Sequence, residues 1–392
     1  MIAIRGDRLI DGTDGSAIPG GVVLVEGERI VAAGPAEQVP IPSGAEVVDR
    51  PGETILPGLV DAHSHCSIVP GLGNQLGQLR QGPVPQVLRS VINLRRDLLS
   101  GCTTMRSMGE EHFIDIEMRD AIAAGRMLGP RLLASTRPIT SRCGHGSALT
   151  FSDGPDEVRR NVRENIRQGA DLIKLFATGG VSSERPSALA CTLSREEIAT
   201  AIDEAHRYER PTAVHAHGGP AIRICVECGI DTIEHGALTT AEDLALMAER
   251  GVWLIQNRAI SHHPDGIEKG DGGNPAIMTK LRRSRENAAA NVGLVLASGV
   301  RWALGTDSMH GMLWFEAAKA VEFGATARQA ILAITHWAAE AIGMADRVGT
   351  LEAGKLADIV GVEGDPLADI RCLQHRGLLM QGGRRLDTLS LD

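Results

Sequence analysis

The sequence predicts an α/β protein, a (β/α)8 TIM barrel with a small β-sandwich domain formed from both termini. Three observations predict it. Apolar strand patterns alternate with amphipathic helix patterns through the middle of the chain. Short valine- and glycine-rich strands occupy both ends. Conspicuous polar residues fall at the ends of the central strands, where barrels carry their active sites.

The N-terminal segment reads "MIAIRGDRLIDG", "GGVVLVEGERIVAAG" and "AEVVDRPGETILPG", and the C-terminal one "LADIVGVEGDP" and "RGLLMQGGRRL". Valine, isoleucine and glycine at this density mark short antiparallel strands. Residues 1–57 and 356–392 are therefore expected to form one domain, with a barrel of residues 58–355 inserted between them. Its candidate strands are "LVDAHSH", "TTMRSMG", "RLLAST", "LIKLFAT", "TAVHAHG", "TIEHG", "VWLIQN" and "WALGTDS". Helical patterns such as "PQVLRSVINLRRDLLSG", "DEVRRNVRENIRQG" and "REEIATAIDEAHRYE" lie between them. Helices often open on Ser, Thr, Asp or Pro and close on Gly, as capping prefers.

Composition narrows the function. The 392 residues are 43% hydrophobic and 23% charged, enough for a large core. A net charge of -9 without basic clusters argues against nucleic acid and anionic membranes as partners, and 3% aromatics against base-stacking platforms. The start "MIAIRGDRLIDG" shows no secretory pattern, and no apolar run approaches the roughly 20 residues of a membrane helix. With seven cysteines spread along the chain, the expectation is a cytoplasmic protein with free thiols.

The first central strand ends "DAHSH", so His63 and His65 share one face by the two-residue period of a strand. The fifth carries His215, the sixth ends on His235 and the eighth reaches Asp307. Neutral imidazoles with a carboxylate are a ligand set for zinc and similar divalent cations. Each residue alone has a plainer reading, as a core histidine or an aspartate capping a turn. Their joint position at strand ends favours a shared metal site.

Lys174 interrupts the apolar run "LIKLFAT". A buried ammonium is costly and would repel divalent cations. Desolvation and nearby positive charge lower a lysine pKa, and the neutral amine adds carbon dioxide to become a carbamate able to bridge two metals. A lysine snorkelling to solvent and a Schiff-base lysine are the alternatives. The Schiff base would leave the four histidines unused.

The motifs "LPGLVDAHSH", "ADLIKLFATGG", "VHAHG", "DTIEHG", "LGTDS" and "VGTLEAGKLADIVGVEGDPL" run in order from residue 56 to 367. Together they resemble the amidohydrolase superfamily, most nearly its imidazolonepropionase-like and Xaa-Pro dipeptidase-like members. The resemblance implies two divalent metal ions, most simply zinc, with manganese, iron or cobalt as alternatives. It implies His63 and His65 on the more buried ion, Lys174 as a bridging N6-carboxylysine, and His215 and His235 on the second. Asp307 contacts the first ion and handles protons. His145 in "SRCGHG" and His217 match positions that face substrate, while Arg142 and Cys143 depart from the family's "TGGHG" and bear on the substrate class.

The expected reaction is hydrolysis of an amide in a dipeptide or N-acyl amino acid by a metal-activated hydroxide. Zinc lowers the pKa of water to about 7 from 15.7. Asp307 is the proton carrier, and His145 or His217 steadies the oxyanion. Aryl amides, carbamates, ureas or a cyclic amide are the alternative substrates, and a catalytically silent scaffold the alternative class. A homo-oligomer is expected. The loops at residues 179–192 and 257–279 are expected to set specificity, the second as a glycine-rich lid. Arg142, Arg185 and Arg258 lie in or beside such loops; each is a candidate carboxylate clamp, with a solvated surface arginine as the plainer reading. "CVEC" at 225–228, "GLGNQLG" at 71–77, His262, His263 and His310 carry no assigned role.

Overall fold

The computed structural model describes residues 1–13 and 17–389. Five strands come from the N-terminal segment: β1 (Ile2–Leu9), β2 (Ile18–Pro19), β3 (Gly21–Glu26), β4 (Arg29–Pro35) and β5 (Glu46–Pro57). Eight follow in the middle: β6 (Leu59–Ser64), β7 (Cys102–Ser107), β8 (Arg131–Ala134), β9 (Ile173–Phe176), β10 (Thr212–Ala216), β11 (Thr232–His235), β12 (Trp253–Gln256) and β13 (Trp302–Leu304). The chain closes with β14 (Ile359–Glu363), β15 (Arg376–Gln381) and β16 (Arg384–Arg385).

Both ends of the chain share one sheet, ordered β16-β15-β14-β5-β1-β3-β4 with β2 on β1. The strand period sorts its two faces. Ile4, Val23, Val25, Ile55 and Ile359 join one buried cluster, while Ala3, Val22 and Leu24 join another with Val39. An antiparallel bridge from Arg29 to Leu356 and a 2.8 Å bond from Ala357 N–H to the Glu28 carbonyl tie β4 to the segment entering β14.

The eight middle strands form two parallel sheets, β6-β7-β8 and β13-β12-β11-β10-β9. Except in β8, every residue of these strands is buried, as parallel strands covered on both faces require. Hydrogen bonds bridge the sheets on both sides. Ile139 N–H donates to the Lys174 carbonyl at 2.8 Å and Phe176 N–H to the Ile139 carbonyl at 2.9 Å. Opposite, Asp307 N–H donates to the His63 carbonyl at 2.8 Å. Gly305 permits that approach: a Cβ there would stand 2.5 Å from the His63 backbone nitrogen.

Helices connect consecutive strands, with boundaries that follow local chemistry. Pro opens the helices Pro83–Leu99, Pro155–Gln168, Pro220–Glu227 and Pro275–Ser298. Ser194 and Thr240 close capping boxes with Glu197 and Asp243 at the starts of Arg195–Arg207 and Ala241–Arg250. Residues 257–279 differ from the expected open loop. They hold helices Ala259–His262 and Ile267–Asp271 and the first turns of Pro275–Ser298. Ile260, Ile267, Ile277, Leu281 and Met309 form a buried cluster there, so apolar packing overrides the glycine content. All seven cysteines are free. No helix among the described residues is long and apolar enough to cross a membrane.

Candidate metal centre and active-site cavity

His63 is the penultimate residue of the buried strand β6, and its Nδ1 lies 2.6 Å from Glu234 Oε2. His65 follows, with Nδ1 2.9 Å from the Gly109 carbonyl. Each ring thus spends one nitrogen on an orienting acceptor, which leaves Nε2 as the ligating atom. Both Nε2 atoms face Asp307 Oδ1, at 3.5 Å from His63 and 3.6 Å from His65. Ligating atoms of His63, His65 and Asp307 lie within 4.8 Å of one another. His235 Nδ1 stands 3.9 Å from Asp307 Oδ2, and its ring centroid lies 4.4 Å from that of His215. The His145 and His217 rings are 4.5 and 4.8 Å from His215.

Lys174 in β9 is fully buried, its Nζ 5.0 Å above the Phe176 ring, which in turn stacks on His215. Burial, reinforced by the Arg106 charge and opposed by Glu234, lowers its pKa to about 8. Burial and neighbouring cations also push His215 and His235 well below the usual imidazole range, and bring His145 to about 3 and His217 to about 4. Burial opposes ionisation of Asp307, but the close His63 and His65 rings and the nearby His235 outweigh it and hold the carboxyl well below its ordinary value. His145, His215, His217 and His235 are therefore uncharged imidazoles near an ionised carboxylate.

Lys174 Nζ, His63 Nε2 and His217 Nδ1 are buried without a hydrogen-bond partner among the described residues. Buried polar atoms are normally paired, and each orphan costs about 1–3 kcal/mol. An unpaired imidazole nitrogen facing the Asp307 carboxylate, its ring oriented from behind by Glu234, fits a divalent metal centre. His235 and Asp307 are held at φ 72° and 49°, left-handed backbone that non-glycine residues adopt at a cost and that recurs at functional sites.

A cavity opens over this cluster. His65, His145, His215, His217, His235 and Asp307 are among the residues that line it. Ile68, Leu76, Leu79, Val181, Ile260 and Ile267 form an apolar wall, and Asn257, Arg258, Ser261 and Ser284 add polar groups. Gly180 admits His145: a Cβ there would stand 2.3 Å from the ring. His63 and Lys174 are buried behind this lining.

Arg142 does not line the cavity. Its side chain is 61% exposed, paired with Asp153 at 3.0 Å and stacked over Phe151. The expectation of a substrate contact there is corrected: local ion pairing and stacking hold the guanidinium outside. Arg185 is exposed as well, whereas Arg258, also read as a surface arginine, is buried at the cavity. His310 is a structural residue, its ring between Asp97 at 2.8 Å and the Ile68 carbonyl at 3.0 Å. The sequence reading missed Glu234 and Arg106, which pair at 2.9 Å behind His63. Their signal was the one that exposed Lys174, a charge inside an apolar strand.

The amidohydrolase family model matches residues 54–380. Ochratoxinase of Aspergillus niger is 28% identical over 360 residues, covering 82% of this chain and 72% of that protein. A crystal structure of a Xaa-Pro dipeptidase with bound methionine in the active site matches with TM-score 0.91 at 27% identity, over 98% of this chain and 99% of that one. A prolidase complexed with N-methylphosphonate-L-proline matches with TM-score 0.88 at 26% identity, over 98% and 99%. This chain belongs to the amidohydrolase family, hydrolases that act on amide bonds.

Proposed function

We propose that this chain is a binuclear metal-dependent amidohydrolase that cleaves the amide of a dipeptide or N-acyl amino acid, with Lys174 as N6-carboxylysine. The observation that carries the proposal is the Lys174 amine, fully buried and unpartnered beside four histidines and an aspartate. As a carbamate it changes from a repellent of cations to a ligand. The Nζ lone pair bonds to the carbon of carbon dioxide and one N–H proton leaves to solvent.

Divalent ions, when bound, supply a nucleophilic water at neutral pH and polarise the amide carbonyl. His63, His65 and Asp307 would hold one ion, His215 and His235 the other, and carboxylated Lys174 both. The Asp307 carboxylate takes the proton of the attacking water and passes it to the departing nitrogen. The neutral His145 and His217 rings donate N–H to the developing oxyanion. The reading extends to architecture: β6–β13 close as a (β/α)8 barrel, supported by the hydrogen bonds bridging both sides of the two parallel sheets. Residues 1–57 and 356–392 form the β-sandwich domain, supported by the bridge that brings β4 back to the chain entering β14; residues 390–392 lie outside the described residues. A Xaa-Pro dipeptidase and a prolidase among the structural neighbours support the substrate class.

Metal analysis should find two ions per chain, and stripped protein should regain metal and turnover faster with bicarbonate than in carbon dioxide-free buffer. Reconstitution indifferent to bicarbonate, with one ion bound, would refute the carbamate. A screen of dipeptides, N-acyl amino acids and aryl carbamates tests the substrate, and turnover confined to carbamates would overturn that part.

A further inference from the structure

Arg258 follows β12, is 3% exposed, and shares the lining of the cavity with His217, Asn257 and Asp307. The fold holds its backbone firmly. Its N–H and that of Ala259 donate to the Glu316 carboxylate at 2.6–2.9 Å. The fold does not use up its guanidinium. One nitrogen donates to Asn291 Oδ1 at 2.7 Å, while Nε has no partner among the described residues. Glu316 is the carboxylate whose charge acts on the guanidinium, but its oxygens are taken by the backbone N–H groups and it makes no ion pair with the guanidinium. A buried arginine left in that state is costly unless a ligand completes it. Planar guanidinium forks match carboxylates bidentately. The same cavity is lined by the apolar side chains of Ile68, Leu76, Leu79, Ile260 and Ile267.

We infer that Arg258 anchors the free α-carboxylate of the substrate, so that the preferred amides carry a carboxylate beside the scissile nitrogen together with an apolar group. The assignment rests on the hydrolase reading above and names its specificity residue. Neutral aryl amides and carbamates lack the anion that Arg258 awaits.

The test is calorimetric binding of N-acetyl-L-leucine and N-acetyl-L-leucinamide, which differ in carboxylate against carboxamide, to the metal-loaded protein. Wild type should bind the acid about ten- to a hundredfold more tightly, the range of a charge-assisted hydrogen-bond pair. Arg258→Gln should erase that preference with metal content unchanged. Arg258→Lys, which keeps the charge without the fork, should retain part of it and serves if the glutamine variant does not fold. Equal binding of acid and amide by wild type, binding of neither, or a preference that survives in Arg258→Gln overturns the assignment. Turnover separates the two claims. Acid bound through Arg258 but never cleaved removes the hydrolase reading alone; amide cleaved as efficiently as acid removes the anchor alone.

Discussion

Two sets of charged and polar groups are equally buried in this molecule and differ in how they are satisfied. In the inner network, Arg106 donates to the Ala62 carbonyl at 2.7 Å and to Glu234 at 2.9 Å, and Glu234 also accepts from Thr232 at 2.6 Å. Asp61 beside it accepts from the Thr306 hydroxyl at 2.6 Å and from the Thr306 and His63 N–H groups at 3.0 and 3.1 Å. At and just behind the cavity mouth, Lys174 Nζ, His217 Nδ1 and Arg258 Nε have no partner among the described residues. The boundary runs through one ring, His63, whose Nδ1 belongs to the inner network and whose Nε2 is an orphan of the mouth. Burial alone therefore does not separate structure from function. The inner network is completed by the fold, whereas the mouth awaits partners that the polypeptide does not supply.

The comparison breaks if substitutions on its two sides behave alike. Lys174→Met should lower turnover by about 10⁴-fold or more, because on the proposed mechanism the ions that Lys174 would help hold lower the pKa of the attacking water. Metal per chain should fall with it, while the stripped protein melts no earlier than wild type, an unpartnered amine having been removed. Asp307→Asn should reduce kcat by about 10²–10⁴-fold, the range of general acid–base catalysis, with metal retained; undiminished turnover would refute its proton transfer.

Across the boundary, Glu234→Gln should act first on stability, costing about 3–5 kcal/mol because it strands Arg106, as a denaturant midpoint would report. It should also weaken metal binding about 10–100-fold through His63. Burial favours the protonated form of Glu234, yet Arg106 and His63 overcome it and hold the carboxyl at about 2. An unfolded glutamate titrates near about 4.3, so the unfolded chain binds more protons between that pH and 2. This contribution is present above that range and is lost as pH falls through it. The glutamine variant should lose that portion of the acid sensitivity. The smallest effect is expected at Arg142→Ala, within about 0.5 kcal/mol and with KM unchanged, since its pair with Asp153 is exposed.

The sequence determined the order of strands and helices and the residues at the strand ends. Hydrophobic period, capping residues and turn glycines act over a few neighbours and are readable without a partner segment. It also singled out Lys174, because a charge in an apolar strand contradicts its own neighbourhood. Arg106 and Glu234 carried the same contradiction, but their answer is each other, 128 positions apart. Tertiary structure alone decided that Arg142 stays outside while Arg258 is buried at the cavity, and that residues 257–279 pack as helical turns. Burial, ion pairing and the direction of a long side chain depend on segments far away in the chain, and no local pattern encodes them.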